Sequence, residues 1–172
     1  EEINGAGFVQ DTLLEGLKEL QKRDYIDEDG EAHPWIEPEE YRMLSIRKGT
    51  LSEEEREIME EHVSVTDRLL SQIHFSGSLS HVREWAADHH ELLNGSGYPR
   101  HLSGEEIPME SRIITILDIF DALVADDRPY KPGMPVEKAL SILENMAQKE
   151  GKLDPRLTRL FIESRCWEGA YA

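Results

Sequence analysis

His89-His90-Glu91, running into Gly95-Ser96-Gly97-Tyr98-Pro99, is the stretch whose residue types are best suited to chemistry. Neutral imidazole is the commonest protein metal ligand, so two adjacent histidines before a glycine-hinged turn suit a metal centre. On a helix, neighbouring side chains point about 100° apart, so each histidine could serve its own ion. Two further residues sit where a plain core would place a hydrophobe: His62, in the stripe Ile58, Val65, Leu69, and Asp118, inside the apolar run 113–124. A carboxylate on a helix with no polar face costs several kcal/mol unless it is paired or bound to metal. Each has a plain reading when taken singly. His62 can be a hydrogen-bonded core histidine, Asp118 a partner of Arg112 or Arg128, and the doublet a polar helix end. Together they read as ligands. Their mixed nitrogen and oxygen donors fit Mn, Fe, Zn, Co or Ni better than Mg or Ca.

Asp121, one turn after Asp118, reads as an outer support for a ligand or a loop amide. His33, His74, His81 and His101 fall in loops or at helix ends and read as surface residues. Gly95, Gly97 and Pro99 make a tight turn whose amides could approach an anion, with Tyr98 adding a ring and a hydroxyl. Arg128 and Lys131, around Pro129-Tyr130, bring two cations that suit phosphate, the guanidinium as a fork and the ammonium as a point charge. The plain alternatives are a helix-terminating loop and a solvated loop.

The elements that must position these residues are almost all helical. Val9, Leu13, Leu14, Leu17 and Leu20 predict an amphipathic helix over 8–23. Asp27-Glu28-Asp29-Gly30 predicts a polar turn, and Pro34 and Pro38 punctuate a loop before a short helix near 39–46, with a small hairpin left open over 25–37. Ser52 and Glu55 form a capping box that opens a long helix to about Ile73. Its predicted buried stripe is Ile58, His62, Val65 and Leu69, with Met59, Leu70 and Ile73 beside it. The next helix carries Val82, Trp85, Ala86 and His89 on one face. The segment 111–124 is apolar all round and predicts a central buried helix. An amphipathic helix over 136–149 and a last one opened by Asp154-Pro155 complete an all-α bundle of six or seven helices.

Composition narrows the function classes. At 172 residues the chain is long enough for one ordinary domain with a proper core. A formal net charge of −17 argues against a nucleic-acid polymer as partner, since that affinity comes from cationic neutralisation of phosphates. A small anionic ligand remains open, because bound ions and a few local cations can reverse the field inside a pocket. No apolar run is long enough to cross a bilayer. The single cysteine, Cys166, fits a reducing, cytoplasmic setting.

With these residues assembled, the chain resembles the HD-GYP family, a branch of the HD phosphohydrolase superfamily. The matching run begins at Gly49-Thr50-Leu51-Ser52-Glu53-Glu54-Glu55 and His62, then His89-His90-Glu91-Leu92-Leu93-Asn94-Gly95-Ser96-Gly97-Tyr98-Pro99. It continues through Leu102-Ser103-Gly104-Glu105-Glu106-Ile107-Pro108, Arg112-Ile113, Leu117-Asp118-Ile119-Phe120-Asp121-Ala122-Leu123, Asp127-Arg128-Pro129-Tyr130-Lys131 and Leu153-Asp154-Pro155. The resemblance covers roughly 45–163, and so many motifs in order make it specific. It implies an HD-domain-like helical bundle, with 45–165 as the metal-binding core and 1–44 as an extension of the same unit.

The resemblance further implies a site for two or three divalent transition-metal ions, usually iron or manganese. It implies hydrolysis of cyclic di-GMP to pGpG or GMP, or of a related phosphoester, with a metal-bound hydroxide rather than a side chain as nucleophile. Residue by residue, it implies His62, His89, His90 and Asp118 as metal ligands. Arg128, Lys131, Gly97, Tyr98 and Pro99 would contact substrate, and Asp121, Glu91 and Arg112 would support the ligands. A cyclic dinucleotide is the implied partner; a signalling protein, an upstream sensor domain and a homodimer are compatible with it.

Two departures bear on activity. The family's His-Asp doublet should precede Gly49, yet the only histidine before His62 is His33, followed by Pro34. An extra residue also separates Leu123 from Arg128. The chain opens on Glu1 rather than Met, and every downstream motif is in place. The expectation is therefore the C-terminal part of a longer phosphodiesterase, weakly active or inactive alone. The competing expectations are a degenerate, non-catalytic domain acting as a nucleotide-binding or protein-interaction module, and a domain with a closed structural metal shell.

Overall fold

Capping chemistry decides where the main helices begin. The structure is a computed structural model that describes residues 9–47, 51–125 and 133–169. Among these residues it is all-α apart from one hairpin: α1 (Asp11–Gln21), β1 (Asp24–Ile26), β2 (Ala32–Pro34), α2 (Pro38–Leu44), α3 (Glu53–Leu70), α4 (Val82–Ala87), α5 (Met109–Val124), α6 (Val136–Gln148) and α7 (Pro155–Ser164). The capping box before α3 forms: the Ser52 amide donates to Glu55 Oε2 at 2.8 Å, and the Glu55 amide to Ser52 Oγ at 3.1 Å. Asp154 caps α7, accepting from the amides of Arg156 and Leu157, with Pro155 at the first helical position. The hairpin left open by the sequence is present, with Tyr25 opposite His33. Asp27 organises its turn, since Oδ1 accepts from the Asp29 and Glu31 amides while Oδ2 meets His33 Nε2 at 2.8 Å.

The chain divides into two compact units, Glu1–Met59 and Glu60–Ala172, so the break falls within α3. In the first unit α1 packs on α2, and Val9 and Leu17 are buried. In the second, α5 packs against α4, α6 and α7. Its core is Ile116, Phe120, Val124, Ala139, Leu143, Ala147, Leu153 and Phe161, with the Phe120 and Phe161 rings edge to face at 5.1 Å. Among the described residues, no helix is long and apolar enough to cross a membrane.

Two expectations about buried faces are corrected. The apolar stripe expected inside α3 lies on its exposed side: Ile58 and Leu69 are 70% and 65% exposed, and Met59, Val65 and Ile73 are exposed too. The buried residue is Val63, with Thr66 and Leu70 half-buried on the same side. Periodicity reveals a stripe but not which stripe meets protein. Here Asp67 fixes the rotation of the helix by pairing with Arg83 of α4 through two contacts of 2.7 Å. Likewise α5 is buried on one side only, by Ser111, Thr115, Ile116, Phe120 and Val124, while Ile113, Leu117 and Asp121 are exposed. Asp118 is 44% exposed at its side chain, so the penalty for a fully buried carboxylate does not apply to it.

Candidate metal centre

Three imidazoles, far apart along the chain, meet. One nitrogen each of His62, His89 and His90 lies within 4.8 Å of the others. His62 reaches the group from the exposed flank of α3, and its Nε2 stands 3.0 Å from His90 Nε2. The doublet is not helical: α4 ends at Ala87, and both histidines occupy the turn beyond it. Their rings therefore do not diverge as helical neighbours would, and their centroids are 4.0 Å apart. The turn is closed by the Glu91 amide donating to the Asp88 carbonyl.

The donors suit a cation in type and spacing. His89 Nδ1 donates to the Ala86 carbonyl at 2.6 Å, which leaves Nε2 with its lone pair free to ligate. Burial, with help from His89 and His62 and against the pull of Asp118, pushes the His90 imidazole down to about 4. It is thus a neutral donor across the physiological range. Two nitrogens at right angles about one ion, each roughly 2.1 Å away, stand about 3 Å apart. The 3.0 Å between His62 and His90 matches that spacing. The residues present fit a transition metal.

Asp118 stands on the other side of His90, with Oδ2 at 3.8 Å from Nδ1. It is beside the group but not within the three-histidine cluster. Asp121, one turn on, is exposed. Arg112 lies elsewhere, donating to the Ile107 and Gly104 carbonyls and to Asp154 Oδ2 at 3.1 Å. Arg128 and Lys131 lie outside the described residues.

The glycine loop is laid directly against the histidine turn. A Cβ on Gly97 would run into the His90 carbonyl oxygen and the Leu92 amide and stand 2.6 Å from Glu91 Cα, so only glycine fits. The Tyr98 amide donates to the His90 carbonyl at 3.2 Å, and the Tyr98 ring stacks on His90 with centroids 4.7 Å apart. Burial, reinforced by Glu60 and Asp118, pushes the Tyr98 phenol up to about 12, so its hydroxyl keeps its proton. Of the loop amides expected to cradle an anion, three are already engaged. The amides of Gly95, Ser96 and Tyr98 already donate to Leu92 O, Asn94 Oδ1 and His90 O.

Sequence reasoning missed several supports. Asp88 is fully buried and paired with Arg100, and Thr115 Oγ1, itself buried on α5, donates to the His89 carbonyl at 2.8 Å. An acid flanking a histidine doublet looks like surface, and nothing in a single sequence ties it to an arginine 12 positions on. On the α3–α4 side, Val63, Asp67, Arg68, Arg83, Glu84 and Arg100 border a cleft of about 630 Å³.

Comparison with known proteins follows the same line. The HD domain family profile matches residues 36–157. The chain is 43% identical over 98 residues to a 3'3'-cGAMP-specific phosphodiesterase of Vibrio cholerae serotype O1, covering 57% of this chain and 20% of that protein. It is 40% identical over 121 residues to a cyclic di-GMP phosphodiesterase of Thermotoga maritima, covering 70% and 32%. Against the cyclic di-GMP phosphodiesterase response regulator RpfG of Xanthomonas campestris it is 39% identical over 124 residues, covering 70% and 31%. The chain thus spans between a fifth and a third of the length of these relatives.

Proposed function

The chain belongs to the HD domain family, and from that premise we propose that it forms the metal-binding part of a phosphodiesterase acting on a cyclic dinucleotide. Cyclic di-GMP, cut to pGpG or GMP, is the first substrate, and a related phosphoester such as 3'3'-cGAMP the second. The observation that carries the reading is the convergence of His62, His89 and His90. Iron or manganese is the favoured metal, held by these three residues with Asp118 beside them. When bound, such ions would supply Lewis-acid polarisation of the phosphoester and neutralise charge developing at phosphorus.

The chain's own residues do the rest. The Ala86 carbonyl holds the His89 tautomer, burial keeps His90 unprotonated, and Thr115 anchors the backbone between them. Tyr98 stacks on His90 and presents a phenol that stays a donor, which suits it to meet a phosphate oxygen. Arg128 and Lys131 would add charge to the phosphate side.

A second reading is favoured by the donor count. Among the described residues the cluster offers three imidazoles and a flanking carboxylate, fewer than a two-ion centre normally requires. A chain with that set alone would bind metal and nucleotide with little or no turnover. One experiment separates the readings. The protein is loaded with Mn(II) or Fe(II), metal content is measured, and hydrolysis of cyclic di-GMP and 3'3'-cGAMP is followed beside His89→Ala. Turnover lost at least 100-fold in the variant supports the enzyme. Nucleotide binding without turnover supports the binding module, and absence of bound metal refutes both.

A further inference from the structure

Two buried carboxylates flank the histidine doublet, and both end on the same residue. Asp88 is 0% exposed and Glu91 2%. The Asp88 carboxylate receives the Arg100 guanidinium, Nε at 3.1 Å to Oδ1 and Nη2 to Oδ2. Glu91 takes the backbone instead: Oε1 accepts from the Arg100 amide at 2.6 Å and Oε2 from the Leu102 amide at 2.8 Å. Arg100 is therefore held by side chain and main chain at once, from either end of the turn that carries His89 and His90.

Arg100 is two residues from Tyr98, so what holds Arg100 also holds the stacked ring. The two rings lie 28° from parallel, and the Tyr98 amide is bonded to the carbonyl of the same histidine. The other freedoms of the doublet are already removed. The His89 ring is tied to Ala86 and the His89 carbonyl to Thr115, while bare Gly97 lets the loop backbone touch the turn. The freedom left is rotation of the His90 ring, which His62 meets at its edge and Tyr98 covers on its face. A carboxylate buried without its partner is strongly unfavourable, so the pair is a stiff anchor rather than a loose surface bridge.

We propose that Asp88 and Arg100 are a positioning pair that sets the angle of the His90 ring through Tyr98, touching neither metal nor substrate. The pair tunes metal affinity from behind the ligands, as outer hydrogen-bond partners of metal-binding histidines do. The link to metal rests on the reading of the cluster given above; the link to ring angle does not.

The test uses the whole chain with labelled histidine. Removing Arg100 alone would strand a buried charge and risks unfolding, so the main variant is the double Asp88→Asn/Arg100→Gln, with Arg100→Lys and Tyr98→Ala as companions. In the metal-free protein the His90 ring-proton shifts, displaced by the Tyr98 ring current, are expected to move in the double variant as they do in Tyr98→Ala. Arg100→Lys should restore them in part. Mn(II) affinity is expected to fall on the order of 10- to 100-fold in the double variant, with the thermal midpoint within a few degrees of wild type. Unmoved His90 shifts in a folded double variant, or in Asp88→Asn should the double fail to fold, overturn the proposal; Asp88→Asn leaves unpaired only the half-exposed Arg100. Wild-type protein that binds metal without hydrolysing nucleotide would sink the enzyme reading and leave this one standing.

Discussion

His90 brings together most of what this site depends on. Its imidazole faces His62 through Nε2, Asp118 through Nδ1 and Tyr98 across its plane. In metal-free protein one of the facing nitrogens of His62 and His90 must carry the hydrogen that the other accepts. Because burial depresses the folded His90 value to about 4 from an ordinary 6.5, the unfolded chain takes up this proton first as the medium is acidified. Its contribution to stability is therefore complete above about pH 6.5, declines as pH falls from there to about 4, and changes no further below that. Histidine-labelled NMR should give a titration midpoint near 4 for this ring; a midpoint near 6.5 would contradict the buried placement. The ligand residues were legible by type, since histidine at three positions and an aspartate in an apolar run stand out. Their mutual distances were not, and Asp88 was invisible because an acid beside a histidine doublet signals nothing until its cover and its arginine are seen.

Helix starts were written plainly in the chain, and helix faces were not. Ser52 with Glu55, and Asp154 with Pro155, state a local rule that needs no tertiary context, and the structure follows both. The stripe of Ile58, Val65 and Leu69 obeyed its own rule equally well, yet the neighbouring elements engage the opposite flank through Val63 and Asp67. Asp154 offers the test at this scale. It caps α7 and also receives Arg112, which is mostly buried and reaches back to the Gly104 and Ile107 carbonyls. Burial alone would raise the Asp154 carboxyl, but the Leu157 amide, Arg112 and the Arg156 amide together hold it below its usual range. That stabilisation is present above the usual carboxylate value and is lost as the pH falls through the lowered one. Asp154→Ala should cost about 2 kcal/mol, read as a lower thermal midpoint, because a cap is lost and a buried guanidinium loses its partner. A midpoint within one degree of wild type would mean that α7 is not anchored there.

For the molecule as a whole, strong negative charge coexists with large apolar side chains left exposed. A net charge of −17 keeps molecules apart in solution, while Leu69, Ile73, Leu117 and Met109 each lie more than 40% exposed. Leu69→Lys is expected to leave the thermal midpoint within a degree or two, a change of less than about 0.5 kcal/mol, and to reduce light scattering at high concentration. A large drop in midpoint would show that Leu69 is covered in solution. Gly97 leaves no room for even a methyl group against the His90 carbonyl and the Leu92 amide. An alanine there would prise the loop off the histidine turn and carry Tyr98 away from the ring it covers.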